Sequence, residues 1–272
     1  ANYERAVEML ERYLKTQPND GQAIALLGSA LMAKGQTARA ATLMQQALET
    51  KDSPDIRKVL GLSLMRNGQS GAAIKELETA FKNDQKQIQA ATALIPMYIR
   101  AGQPAKALAT TEKLVKLQPA NPAFLNLLGM VRANTGNMRD ARTSFEQAVK
   151  LNASFVPASL NLARMEIASR SYDAATIRLA DIIKTDPKNV EAIFEMATIA
   201  DRQGKPAEAI GWLDKANKLS GPRELRWGLA LSDYQLRHGN AGPALDAAKD
   251  VSAKQPENLA VLLALARAQL AN

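Results

Sequence analysis

The one histidine in 272 residues is His238, and cysteine is absent. Acid–base chemistry near neutral pH, thiol nucleophiles, cysteine zinc sites and disulfide frameworks therefore lack either their groups or the partners those groups need. His238 stands beside Gly239 where a helix should stop, and reads as a solvated helix-end residue that complements the dipole. Carboxylates are plentiful, but Glu76, Glu78 and Asp214 fall on exposed helix positions. No phosphate-binding loop, nucleophile elbow or paired-acid cleft emerges. The expectation is a protein with no enzymatic activity, no cofactor and no metal, whose side chains recognise rather than react. A formal charge of +8, from 35 Lys and Arg against 27 Asp and Glu, raises anionic partners such as nucleic acid, acidic polysaccharide or a lipid surface. The basic residues are interleaved with acidic ones along the whole chain, without a basic run or an aromatic stacking platform, which makes nucleic acid the weaker partner.

The elements that must hold these groups repeat. LLGMVRANTG, from Leu127 to Gly136, returns as LLGSALMAKG from Leu26 and as LGLSLMRNG from Leu60. Gly28 to Gly61 and Gly35 to Gly68 are each 33 residues, and Gly102 to Gly136 is 34. The same period carries Ala6, Ala40, Ala73, Ala107, Ala141, Ala175, Ala209 and Ala244, a small residue on the second helix of each unit. Its counterpart on the first helix is Gly28, Gly61, Gly129, Ala163, Ala197, Ser232 or Ala266, with Ile95 as the exception; small residues facing each other let two antiparallel helices approach closely. Large apolar residues flank these contacts at helical spacing, Leu27, Leu31, Leu43 and Met44 in one unit and Leu128, Val131 and Phe145 in another. Gly35, Gly68, Gly102, Gly136, Gly204 and Gly239 supply the left-handed turn inside each unit, and Arg170 replaces that glycine once. Pro54, Pro122 and Pro157 open helices, whereas Pro96 falls inside one and should bend it. Aromatics make up only 4% of the chain, and no apolar run reaches the length of a membrane-spanning helix.

Through this spacing and its Gly, Ala and Pro, the whole chain resembles tetratricopeptide repeat (TPR) proteins. The family's early Trp is missing; Ile24, Arg57, Ala91 and Leu125 are among the residues in its place. The resemblance implies an all-α TPR-type solenoid, a right-handed superhelix of antiparallel helix pairs. It implies a half repeat at 1–20, full repeats starting near 21, 54, 88, 122, 156, 190 and 225, and a lone final helix at 259–272. The apolar ending LAVLLALARAQLAN leads us to expect one solenoid that is a segment of a longer array, or ends covered by another copy. The family's inner-wall positions, carried onto this chain, give a candidate groove of Lys58, Met65, Arg66, Ile99, Arg100, Asn126, Met130, Asn134, Leu160, Arg164, Phe194, Asp201, Arg202, Asp233 and Arg237, with Leu62 beside them. Met65, Ile99, Met130, Leu160 and Phe194 would form an adaptable apolar strip for a peptide, with arginines and asparagines holding its backbone and acidic side chains. The carboxylate clamp of chaperone-binding relatives does not fit. Lys58 is followed by Leu62 rather than Asn, and Ala93, Ala123 and Leu127 occupy the remaining places.

Residues 121–216, including SFEQAVKLNASFVPASLNLARMEIASRSYDAATIRLADIIKTDPKNVEAIFEMATIADRQGKPAEAIGWLDKA, also resemble the large TPR lipoproteins of bacterial PEP-CTERM/exosortase sorting and exopolysaccharide systems. That resemblance implies a lipid-anchored, extracytoplasmic (periplasmic) scaffold that binds a protein or peptide partner in its concave groove, its anchor lying upstream of these residues. The absence of cysteine suits either the cytoplasm or an oxidising compartment. The alternatives are a TPR scaffold of another polysaccharide secretion system and a carrier of an acidic polymer such as a polysaccharide.

Overall fold

A computed structural model describes residues 2–221 and 223–272. Among these it holds sixteen α-helices and no strand. They gather into two compact units, Ala1–Ser144 and Phe145–Asn272. The first unit contains α1 (Tyr3–Thr16), α2 (Gly21–Ala33), α3 (Thr37–Thr50), α4 (Pro54–Arg66), α5 (Ser70–Asn83), α6 (Ile88–Arg100), α7 (Pro104–Leu117) and α8 (Pro122–Asn134). Helix α9 (Met138–Leu151) carries the division, and the second unit continues with α10 (Val156–Ala168), α11 (Tyr172–Thr185), α12 (Val190–Arg202), α13 (Pro206–Leu219), α14 (Arg226–Arg237), α15 (Ala241–Lys254) and α16 (Leu259–Ala271). Even-numbered helices are the first members of each pair and odd-numbered helices the second. Each second helix after α1 follows its first helix across a short turn, which holds a glycine in six cases and Arg170 between α10 and α11.

The residue types explain where each helix starts and stops. Asp20, Asn121, Asn189 and Asn258 stand just before first helices, and each accepts backbone N–H groups of the first turn that would otherwise be unpaired. Proline opens α4, α7, α8 and α13, where its missing N–H costs nothing. All six turn glycines take positive φ, between 68° and 82°. Arg170 occupies the same turn at φ 61°, the one non-glycine residue of the described chain in that region. His238 caps the end of α14 in solvent, its ring 4.5 Å from that of Tyr234.

Within each pair the small residues are used as close contacts. Ala40, Ala73, Ala107, Ala141, Ala175, Ala209 and Ala244 are wholly buried. A Cβ placed on Gly61 would lie 2.6 Å from Leu77 Cγ, and one on Gly28 would lie 2.7 Å from Met44 Cε. Ile95 stays buried without a small side chain. Ala266 departs from the pattern: it is exposed on α16, because no second helix follows it among the described residues, and Val261 and Ala268 face the neighbouring helices instead.

A second regularity joins the fourth residue of each first helix, counted from the repeat starts, to a residue 23 further on in the second helix. Ile24 goes with Ala47, Arg57 with Ala80, Ala91 with Leu114, Ser159 with Ile182, Ile193 with Ala216 and Gly228 with Val251. One member is large and the other small, so the summed volume varies far less than either residue alone. At Gly228 the reason is direct, since an added Cβ would run into Val251 and into Asn217 Oδ1. In the first unit the core is one cluster extending from Val7 to Val131. In the second, buried groups centre on Leu179, on Leu213 and Leu231, on Ile193 with Trp227, and on Ala244 with Ala248. Pro96 lies inside α6, which runs helical through it to Arg100.

Candidate functional site

The first helices of each unit present one face that the second helices leave uncovered, and the candidate groove residues lie on it. In the first unit α4, α6 and α8 supply that face. Met130 is 49% exposed, and Met65 and Ile99 are half-buried against the core. Lys58 Nζ donates to Asp55 Oδ1 at 2.9 Å, and the same oxygen accepts from Gln87 Nε2 at 3.1 Å, tying α4 to the start of α6. Those two donors outweigh burial and hold the Asp55 carboxyl below its ordinary range. Arg66 donates to the backbone oxygen of Met32 at the end of α2, and Arg100 to that of Pro96. Both cations sit at helix C-termini, where the dipole favours them. Asn134 is exposed.

Three expected wall residues are not open to a partner, and Leu62, 8% exposed, is one of them. Asn126 is 9% exposed, and its amide donates to Met130 Sδ at 3.6 Å, so it positions the exposed methionine rather than a ligand. Leu160 is 7% exposed and packs in the core of the second unit with Ala163, Ile167 and Leu179. The expected apolar strip is correspondingly narrower.

In the second unit the wall is cross-linked. Arg164 of α10 donates to Glu195 Oε1 at 2.6 Å and to Glu191 Oε2 at 2.9 Å, both on α12. Glu191 also pairs with Arg226 of α14, whose guanidinium lies 3.8 Å from the centre of the Trp227 ring. Phe194, half-buried, stacks on Trp227 with ring centres 4.7 Å apart, so it props α12 against α14 as well as facing outward. Tyr234 donates from its hydroxyl to Asp201 Oδ1 at 2.9 Å; burial first, and the carboxylate second, push its pKa up to about 12. Arg237 pairs with Asp233 at 3.1 Å.

Between α12 and α14 these contacts frame a cleft of about 210 Å³. Phe194, Ala197, Leu213 and Ala230 give it an apolar floor, and Thr198, Asp201, Arg202, Asp233 and Arg237 form its rim. Five residues expected from the sequence, Phe194, Asp201, Arg202, Asp233 and Arg237, meet there. Arg202 alone among the rim arginines has no ion pair with the described residues. The sequence reading missed Glu191, Glu195, Arg226, Trp227 and Tyr234. Their partners lie 27, 31, 35 and 33 residues away, close to one repeat, so opposite charges compared at the repeat period would have found the ion pairs.

The carboxylates considered for acid–base work are occupied in the fold. Glu76 pairs with Arg57, Glu78 accepts from both Tyr98 and Lys106 at 2.8 Å, and Asp214 pairs with Lys218. Burial and the Glu78 carboxylate both raise the Tyr98 pKa, so its hydroxyl is a fixed donor. Among the described residues no group of three His, Cys, Asp or Glu converges as metal ligands, and no helix is long and apolar enough to cross a membrane.

Comparison with known proteins agrees with this geometry. Residues 1–63 and 31–95 match one tetratricopeptide repeat model, and residues 92–154, 132–176 and 160–222 match another. No curated protein matches the chain in sequence. Among solved structures, a tetratricopeptide repeat protein from Parabacteroides merdae is 17% identical with a TM-score of 0.72, over 97% of this chain and 99% of its own. Yeast Tom70 is also 17% identical, with a TM-score of 0.74; the match covers 99% of this chain and 58% of Tom70. PilW, a type IV pilus biogenesis factor, is 18% identical with a TM-score of 0.58, over 78% of this chain and 98% of its own. At such identities the likeness is one of fold. With repeat models covering most of its length and fourteen of the sixteen described helices in seven pairs as the repeat requires, the chain belongs to the tetratricopeptide repeat family.

Proposed function

We propose that the protein is a non-catalytic interaction scaffold that binds an extended or helical segment of a partner protein on its first-helix faces. The cleft between α12 and α14 carries this reading, because it combines a floor for one apolar side chain with an arginine, Arg202, that has no ion pair among the described residues. A segment with an apolar residue next to an acidic one fits both features. In the first unit Met65, Ile99 and Met130 offer adaptable apolar contacts beside Arg66 and Arg100.

The proposed setting is a bacterial cell-envelope system for exopolysaccharide export or protein sorting, with the protein held outside the cytoplasm by a lipid anchor. Its support is the resemblance of residues 121–216 to PEP-CTERM/exosortase lipoproteins; the PilW likeness in fold is compatible with an envelope role.

Selection from a random-peptide display library tests the binding mode. The wild-type protein should enrich peptides with an apolar residue next to Asp or Glu. Thr198→Trp, which plugs the cleft, should remove that enrichment in the second unit, and Met130→Asp should remove apolar contacts in the first. Failure to enrich any motif, or an unchanged motif in both variants, would sink the reading.

A further inference from the structure

A cavity of the second unit lies away from the first-helix face. It has a volume of about 620 Å³ and is bounded by the end of α9, the loop before α10, the start of α10 and one side of α11. Val149, Val156, Ala174, Ile177 and Ile182 give it apolar walls. The cavity in the same repeat register of the first unit, beside Ile24 and Ala47, is about 240 Å³.

Three observations set the larger cavity apart. Ile177 is 66% exposed on its edge, at a position where other repeats place Thr42, Lys75, Gly211 or Asp246. Leaving a large aliphatic side chain in water forfeits burial free energy, which a docked apolar partner would recover. Arg178, the cation of the lining, is taken up inside the unit: its Nε and Nη2 hold the carboxylate of the buried Glu166 at 2.6 to 3.2 Å. Asp173 and Asp181 stand one helical turn before and after Ile177, and among the described residues neither has an ion pair; Asp181 lines the cavity within electrostatic reach of Arg178. With Arg178 turned to Glu166, these two aspartates are the carboxylates that flank Ile177 in a chain of net charge +8.

We propose that this cavity docks a basic amphipathic helix of another protein, whose aliphatic side chains enter between α9 and α11 and whose lysines or arginines meet Asp173 and Asp181. The volume lies within the range of specific binding pockets, and two parallel-lying second helices with a furrow between them are a standard seat for a third helix. The surface is distinct from the first-helix cleft, so one scaffold could hold two partners at once.

The test uses two synthetic 18-residue alanine-based helices of our own specification, each with leucines at i, i+4 and i+7. One carries lysines a turn before and after the leucines, and its twin carries glutamates there. Fluorescence anisotropy should show the wild-type protein binding the lysine peptide roughly tenfold more tightly than the glutamate peptide, the yield of two desolvated charge pairs. Asp173→Lys with Asp181→Lys should reverse that preference. Ala174→Trp, at an exposed position of α11, fills the cavity and should abolish binding of both peptides while the thermal unfolding curve stays unchanged. Absence of binding by the lysine peptide, equal binding of the two peptides, or binding that survives Ala174→Trp overturns the proposal.

Discussion

Single residues show where this chain departs from its own repeat and what the departure costs. Six of the seven turns between first and second helices use glycine at positive φ, and the seventh uses Arg170 at φ 61°. A side chain in that region costs about 1–2 kcal/mol, offset by about 0.5–1 kcal/mol because glycine has more freedom to lose on folding. Arg170→Gly should therefore stabilise the second unit by about 0.5–1 kcal/mol, read as a higher urea midpoint with an unchanged slope. A lower midpoint would mean that Arg170 makes a contribution its backbone conformation hides. The same turn was legible in the sequence because glycine at C′ is a strong local signal. Burial of Leu160 and Asn126 was not legible, since both occupy positions that face outward in an average repeat. Their placement depends on which neighbours happen to be small.

At the scale of the element, pairing of helices was legible and the cross-links between successive first helices were not. Buried alanines and helix-starting prolines are set by sterics within 34 residues of sequence, and they recur, so each copy checks the next. The Arg164–Glu195 and Tyr234–Asp201 contacts each occur once and join different repeats. No residue that recurs from copy to copy announces them; only their separations, 31 and 33 residues, lie near the repeat. The alternation of large and small residues between first and second helices is intermediate: it is visible in the sequence only after the register is known. Ile193 and Ala216 share one buried cluster with Trp227, which makes them the place to test it. Ile193→Ala alone should cost about 2–5 kcal/mol by leaving a cavity, and Ala216→Leu alone about 1–3 kcal/mol by overfilling. Combined, the two changes conserve volume, so the double variant should be more stable than Ile193→Ala by at least about 1 kcal/mol, a coupling measured by a double-mutant cycle. Strict additivity would show that the alternation reflects composition rather than contact.

For the whole molecule, the sign of the net charge and its distribution point to different partners, and salt separates them. A charge of +8 draws any polyanion from a distance. Yet many of the cations are already held: Arg57 by Asp52 and Glu76, Arg164 by Glu191 and Glu195, Arg178 by Glu166, Arg226 by Glu191, and Lys106 by Glu78. A polymer would have to compete with these carboxylates at close range, and the other cations are interleaved with acidic residues along the whole chain, so that it meets only a few of them in any one place. Binding of heparin, taken as a generic acidic polymer, should therefore release only about two or three counterions and fade by about 0.15 M salt, within one Debye length of about 8 Å. A protein segment seated on the apolar floor of the α12–α14 cleft should keep most of its affinity at that salt, because burial of apolar surface is not screened. Titrations of both ligands across a salt series decide between scaffold and polymer carrier. Submicromolar heparin binding at physiological salt, with a slope of about six or more, would establish the carrier.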